Sequence, residues 1–284
     1  MNTGDSHLPL LIRGCGPWVI RPRGARPATY AHAGVDAAAR RLEFVHRLFE
    51  SSSRRFLREH PPHHPVRALD LACGPGCTTA LLHDVVRADL TIGLDILDDF
   101  IRHAQHRYGS ATMKFIAHDV TRMPLPFAPA DVIFCRFAMA HMSSAKEAVN
   151  LWASQLVSGG RLLIEEVDSI STSVPVFAEY LSLAEDVIAK NSNTARAADI
   201  LTAPQCAQNV TLALCRGADV SVPPHDAATI YLSSLTAGSS RLASVVGDDA
   251  VNRLRQELEQ VHSGGAANGH ITWRLQQLVF IKAE

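Results

Sequence analysis

Between residues 66 and 168 short apolar runs alternate with amphipathic helical text, and this rhythm constrains the fold more than any other feature of the chain. The runs VRALDLA (66–72), LTIGLDI (90–96), MKFIAHD (113–119), ADVIFCRF (130–137) and RLLIEEVD (161–168) read as strands. Between them ALLHDVV, LDDFIRHAQHRY (97–108) and SAKEAVNLWASQLV (144–157) read as helices, the last stopped at Gly159-Gly160. Strands spaced by single helices pair in parallel and are buried on both faces. The expected class is therefore α/β, a doubly wound, mostly parallel Rossmann-like sheet with helices on both faces. In such sheets ligands bind outside the carboxyl ends of the strands, where the strand order reverses.

Outside this stretch the text changes. Residues 1–28 mix Gly and Pro with no sustained period, which predicts an irregular arm. Residues 29–62 carry Leu42, Val45, Leu48, Phe49 and Phe56 at near-helical spacing up to Pro61-Pro62, an amphipathic helix. Eleven Arg against four acids lie between Arg13 and Arg67, which reads as a solvated face or as the mark of an anionic ligand. Beyond the α/β core of 63–168, the segment 169–270 reads as a helical cap. It has helices at 175–190, near 226–237 and at 248–262, mixed text to 215, and one returning strand at 217–222. The final core strand lies in 271–284.

Composition limits the function classes. With 27 Lys and Arg against 28 Asp and Glu, the chain lacks the excess positive charge that phosphate neutralisation requires, so no nucleic-acid partner is expected. Six cysteines form no CxxC pair and no cluster with histidine, so neither a metal site nor a disulfide framework is expected, and reduced thiols suit a cytoplasmic location. No run reaches the length of a membrane helix, and Leu8 to Ile12, broken by Pro9, is too short for a signal-peptide core.

The loop Gly74-Pro75-Gly76, set between a strand ending near Asp70 and a helix starting at Thr78 or Thr79, brings bare backbone and helix amides to one crevice. A plain tight turn is the alternative. The dinucleotide fingerprint GxGxxG needs a glycine where Thr79 stands, and no lysine follows to make a Walker loop. Asp95 ends the second strand, 25 residues after Asp70, where a carboxylate can accept both hydroxyls of a ribose. Asp119, at the end of the third strand, can take the exocyclic amine of an adenine or cap the turn at Thr121. Acids without phosphate ligands favour a phosphate-free nucleoside, and S-adenosyl-L-methionine is the candidate cofactor.

The motifs VRALDLACGPG, TIGLDIL, FIAHDVTRMPLPFAPADVIFCRFAMAHM and LVSGGRLLIEEVD resemble the successive motifs of class I S-adenosylmethionine-dependent methyltransferases. The resemblance covers residues 66–168 and extends to 28–60. Ala72 stands where the family has the first of three alternating glycines. By resemblance Asp70, Ala72, Gly74 and Gly76 line the methionine end of the cofactor, Asp95 and Ile96 hold the ribose and flank the ring, and Asp119 and Val120 receive the adenine. Arg136 would lie beneath the sulfonium arm through its backbone, unless it is a surface arginine at a strand end. The segment YAHAGVDAAARRLEF is similar to the N-terminal helix of small-molecule methyltransferases of the trans-aconitate and glycine N-methyltransferase kind, which maps the cofactor carboxylate onto Tyr30 and Arg41, with Arg40 the neighbouring alternative.

His141, a few residues past the fourth strand, is the candidate general base, since an imidazole titrates where base catalysis works. A packed histidine is the alternative, and Glu166, Asp168, His32 and His225 are further candidates for the acceptor site. Cys73 and Cys77 read as inert small residues. No NPPY or DPPY text occurs, which by resemblance points away from nucleobase amines. The expected function is methyl transfer to O, N or C of a small organic acceptor, in specialised metabolism. Shifted chemistry on the same cofactor, such as decarboxylation or cyclisation, and a non-catalytic cofactor-binding partner are the alternatives. The sequence leaves the oligomeric state open.

Overall fold

The computed structural model describes residues 32–60, 64–139, 142, 144–191, 209–264 and 269–283. The irregular arm expected at 1–28, together with Tyr30 and His141, lies outside them. In chain order the elements are α1 (His32–Glu59), β1 (Arg67–Leu71), α2 (Cys77–Val86), β2 (Leu90–Asp95), α3 (Asp98–Tyr108), β3 (Met113–Ala117), β4 (Ala130–Arg136), α4 (Ala145–Ser154), β5 (Leu156–Thr172), α5 (Pro175–Asn191), β6 (Val210–Val222), α6 (Pro224–Val246), α7 (Asp248–His262) and β7 (Ile271–Lys282).

One seven-stranded sheet has the order β3-β2-β1-β4-β5-β7-β6. β1 pairs in parallel with both β2 and β4, so the chain winds outward from β1 to β3, then restarts at β4 and winds the other way. The reversal falls at the carboxyl ends of β1 and β4, beside the loop that follows Leu71. β7 enters antiparallel between β5 and β6.

The period-2 pleat sorts the strands' side chains. Ala68, Val132, Phe134, Leu163 and Val279 face Phe56 and Leu57 of α1 and Leu81 and Leu82 of α2. Leu69, Leu71, Ile133, Cys135, Leu162 and Ile164 face Val149 and Trp152 of α4. Each such fully buried side chain stabilises the fold by roughly 1.5–3 kcal/mol. A third cluster lies where β5 and β7 run on past the end of β4. There Val45 and Phe49 of α1 meet Phe177 and Leu181 of α5, Tyr231 of α6, Leu254 and Leu258 of α7, and Trp273 and Leu275 of β7.

Several boundaries differ from the sequence reading. The helix expected over 144–157 ends at Ser154, and the strand expected over 161–168 runs from Leu156 to Thr172. Gly159-Gly160 is a register irregularity inside the strand, between the pairs Ala130–Leu156 and Val132–Arg161, with Gly159 at φ +72°. The far end is lengthened by antiparallel pairing as far as Thr172 with Ile271. Likewise the text to 215, expected to be mixed, is strand: β6 begins at Val210. As an edge strand it alternates exposed and half-buried residues and so lacks the apolar run of the inner strands. α6 is also longer than expected, running to Val246.

Candidate functional site

The loop after β1 is built around a buried carboxylate. Asp70 is fully buried on the α1–α2 face of the sheet. Its Oδ2 accepts hydrogen bonds from Thr78 Oγ1 at 2.6 Å and Thr79 Oγ1 at 2.7 Å, while Oδ1 is buried with no partner among the described residues. Burial pushes its pKa up to about 6, against the pull of the two threonines and the Arg136 charge. Thr79 therefore performs a specific task at the position where a dinucleotide loop has its third glycine: it clamps the acid.

Ala72 holds φ +55°, the left-handed region in which glycine is free of strain, so the departure from the glycine pattern keeps the backbone shape at some steric cost. Gly74 and Gly76 are also left-handed, at +54° and +94°. At Gly76 a Cβ would stand 2.8 Å from Ala104 Cβ and 3.0 Å from Phe115 and Tyr108, so side-chain absence lets the loop pack against α3. Cys73, just before Gly74, is buried, and burial first, then the charges of Asp95 and Asp70, raise its thiol well above the ordinary value. Such a thiol is a poor nucleophile.

Asp95, 8% exposed, closes the neighbouring side. Its Oδ2 accepts from the Gly74 amide at 2.9 Å and its Oδ1 from the Leu97 amide at 2.9 Å, so one carboxylate fixes both loops. Ile96 beside it is 43% exposed, a large apolar side chain left open at the carboxyl edge. Asp119 lies two residues past β3. Its Oδ1 accepts from the Thr121 amide at 3.0 Å and hydroxyl at 2.7 Å, and Oδ2 lies 3.5 Å from Arg122 Nε. Burial acts to raise its pKa, but these partners hold it below the ordinary value. Val120 is buried, and its carbonyl accepts from Trp152 Nε1 at 2.9 Å, which anchors this loop to α4.

Arg136 is not a surface arginine: it is 9% exposed. Its Nη1 donates to Ser53 Oγ at 3.0 Å and its Nη2 to His46 Nδ1 at 3.1 Å, both on α1. Burial first, then the Arg136 charge, lowers the His46 pKa to about 4, which keeps the imidazole a neutral acceptor. In register with Arg136 on β5 is Glu165, and opposite Glu165 on β7 is Gln277. Glu165 accepts from Ser53 Oγ, from Gln277 Nε2 at 2.6 Å and from Ser52 Oγ at 3.3 Å, and burial raises its pKa. This network clamps α1 onto the sheet. Sequence reasoning missed it, because its members lie on four elements far apart in the chain.

On α1, Arg41 is half-buried and Arg40 exposed, so Arg41 is the one that faces inward. His32 lies in the first turn of α1, but its side chain is outside the described set. Glu166 is buried, its Oε2 accepting from the Met139 amide at 2.8 Å and its Oε1 from the Val167 amide at 3.1 Å, so it braces the turn after β4. Asp168 is half-buried and accepts from Ser169 Oγ at 3.3 Å. His225 is exposed, stacked on His262 at 4.6 Å. Among the described residues no three His, Cys, Asp or Glu side chains could hold a metal ion, and no helix is long and apolar enough to cross a membrane.

The seven-stranded, mostly parallel sheet, with an acid near the end of β1, a glycine loop and a second acid closing β2, is the Rossmann-like fold that the methyltransferase resemblance implies. Residues 68–160 match the family described as methyltransferase domain. The chain is 25% identical over 163 residues to trans-aconitate 2-methyltransferase of Rhodopseudomonas palustris, a match covering 57% of this chain and 62% of that one. It is 27% identical over 146 residues to malonyl-[acyl-carrier protein] O-methyltransferase of Anoxybacillus flavithermus, covering 43% and 56%. The matches thus span less than two thirds of either relative. Among solved structures, the YcgJ protein of Bacillus subtilis superposes with a TM-score of 0.53 at 17% identity, covering 84% of this chain and 99% of that one. The cyclopropane synthase MmaA2 of Mycobacterium tuberculosis does so with a TM-score of 0.52 at 14% identity, covering 90% and 100%. At such identities the likeness is one of fold.

Proposed function

We propose that this chain binds S-adenosyl-L-methionine at the carboxyl edge of β1, β2 and β4 and transfers its methyl group to a small organic acceptor. The observation that carries the reading is Asp70, a buried carboxylate with one oxygen clamped by two threonines and the other without a partner among the described residues, beside a left-handed glycine loop. An anion held this way suits a cationic ligand group such as an amino-acid ammonium. The residues present fit the cofactor. Asp70, Ala72, Gly74 and Gly76 would hold its methionine end, Asp95 and Ile96 its ribose and ring, and Asp119 and Val120 its adenine. Tyr30 and Arg41 would hold the carboxylate. The Arg136 side chain is turned to Ser53 and His46 on α1, which leaves its backbone for the cofactor arm.

When bound, the cofactor supplies an electrophilic methyl group on a sulfonium. The chain's task is to align an acceptor with it and exclude water, for which alignment can be worth up to ~7–11 kcal/mol. Glu166 contributes by bracing the turn after β4 through Met139. His141, just beyond that turn in sequence, would remove a proton where the acceptor carries one. Residues 63–168 would form the cofactor core, and 169–270 the wall of the acceptor site, reached over the carboxyl edge. The near-zero net charge favours a small molecule over a nucleic acid as acceptor. Incubation of the protein with methyl-labelled cofactor and a panel of small molecules tests this. Label transfer to an acceptor is expected, and cofactor binding without transfer to any compound class would favour a non-catalytic role.

A further inference from the structure

Four neighbouring strands carry one polar side chain each in a single row across the sheet. Arg136 of β4 is in register with Glu165 of β5, Glu165 with Gln277 of β7, and Gln277 with Arg216 of β6. Arg216 Nε donates to Gln277 Oε1 at 2.8 Å, which turns the Gln277 amide nitrogen toward Glu165 Oε1 at 2.6 Å. The row is tied to α1 at several points along that helix. Arg136 Nη2 donates to His46 Nδ1, and Arg216 Nη2 lies 2.6 Å from Glu59 Oε2. Between these ties Ser52 accepts from Gln277 Nε2 at 3.2 Å, and Ser53 accepts from Arg136 Nη1 at 3.0 Å while its own hydroxyl donates to Glu165.

Ser53 is thus a buried, neutral dipole seated between a cation and an anion of adjacent strands. Apolar packing is non-directional and tolerates sliding, whereas such hydrogen bonds do not. A step of one residue along α1 moves a side chain by about 1.5 Å along the axis and about 100° around it, which takes Ser53 away from both partners. Fixing register is the best-attested task of polar groups buried in this way. Arg41 stands about 18 Å toward the amino end of the same helix. Its neighbours there touch the loops of the candidate cofactor site: a Cβ on Gly74 would lie 3.5 Å from Leu42 Cδ1, Ala39 packs on Phe100 of α3, and Glu43 Oε1 is 3.3 Å from His103 Nε2. Where α1 is held along its axis therefore decides where Arg41 stands relative to the loop after β1.

Given the cofactor reading, on which this rests, we propose that Ser53 and Glu165 are positioning residues for the amino-acid end of the cofactor. They lock α1 in the register that sets Arg41 at the cofactor carboxylate.

The test compares two ligands on the full chain by calorimetry: S-adenosylhomocysteine and its decarboxylated analogue, which keeps the ammonium group and lacks only the carboxylate. Arg41→Ala should weaken S-adenosylhomocysteine roughly 10- to 150-fold and leave the analogue within about 1.5-fold. Ser53→Ala keeps the row across the sheet and removes the helix from its centre, so it should weaken S-adenosylhomocysteine roughly 3- to 12-fold, again with the analogue within about 1.5-fold. Added to Arg41→Ala it should cause no further loss, because the two act on one contact. Glu165→Gln replaces one of the two accepting oxygens with a donor and should show the same split between ligands, which reads the lock even if Ser53→Ala fails to fold. A purely structural role would weaken both ligands together. Equal weakening of the two ligands, unchanged binding of both, additive losses in the double variant, or an Arg41→Ala variant without selectivity overturns the proposal and leaves the cofactor reading standing. A wild-type chain that binds neither ligand overturns both.

Discussion

Asp70→Asn separates what the buried acid does for the fold from what it does for the ligand. Burial raises the Asp70 pKa from 3.8 to about 6, so the folded state holds its proton more tightly than the unfolded chain does. The sign follows directly. Below about pH 4 both states are protonated and the site carries no penalty, and as pH rises through about 6 the folded state must ionise a group it prefers neutral. At about 1.4 kcal/mol per tenfold, the ligand-free wild type loses on the order of 3 kcal/mol across this window through Asp70 alone. The asparagine variant lacks that term, although its new amide donors face the unpartnered side of the site and cost about 1–3 kcal/mol at every pH. Urea unfolding of both proteins at several pH values should thus show a stability difference that shifts in favour of Asn by about 3 kcal/mol between about pH 4 and about pH 7. S-adenosylhomocysteine, which bears an ammonium group, should bind the variant roughly 10- to 150-fold more weakly, the loss of one charge-assisted hydrogen bond. A stability difference that stays flat with pH would refute the burial argument. Unchanged affinity would refute the assignment of Asp70 to the ligand.

Asp95→Ala removes a carboxylate that ties Gly74 to Leu97 and is assigned to the ribose, so S-adenosylhomocysteine affinity should fall at least about tenfold by calorimetry. Glu166→Ala leaves the buried Met139 amide without its acceptor, so stability should drop by about 1–3 kcal/mol and turnover should fall with little change in cofactor affinity. Glu166→Gln, which keeps an acceptor oxygen, should recover most of the turnover, and equal kcat in all three proteins would remove the bracing role. His141→Ala should lower kcat by about 10²–10⁴-fold at unchanged cofactor affinity if the acceptor must lose a proton. Turnover measured per folded molecule decides it, and a near-normal value eliminates the base.

Much of the candidate site was legible because it is local. Asp70 and Asp95 announce themselves as charges at the ends of apolar strands, and the glycines at 74 and 76 follow one of them within a few residues. What local text could not show is which strands become neighbours. Ser53, Arg136, Glu165 and Gln277 come together only because β4, β5 and β7 are adjacent and α1 crosses them. Gly159-Gly160 misled because a glycine pair after a helix has the look of a helix stop, whereas here the helix had already ended and the glycines accommodate a register change. β6 was half hidden because an edge strand needs no continuous apolar run, and the small and polar residues of its exposed face interrupt the apolar ones.

The most direct test of the account is an equilibrium titration of the wild-type chain with S-adenosylhomocysteine and, separately, with NAD. A site in which Thr79 clamps Asp70 in place of the third glycine of a dinucleotide loop, and Asp95 ties down Gly74, should bind S-adenosylhomocysteine with a clear preference. NAD binding of equal or greater strength would contradict it.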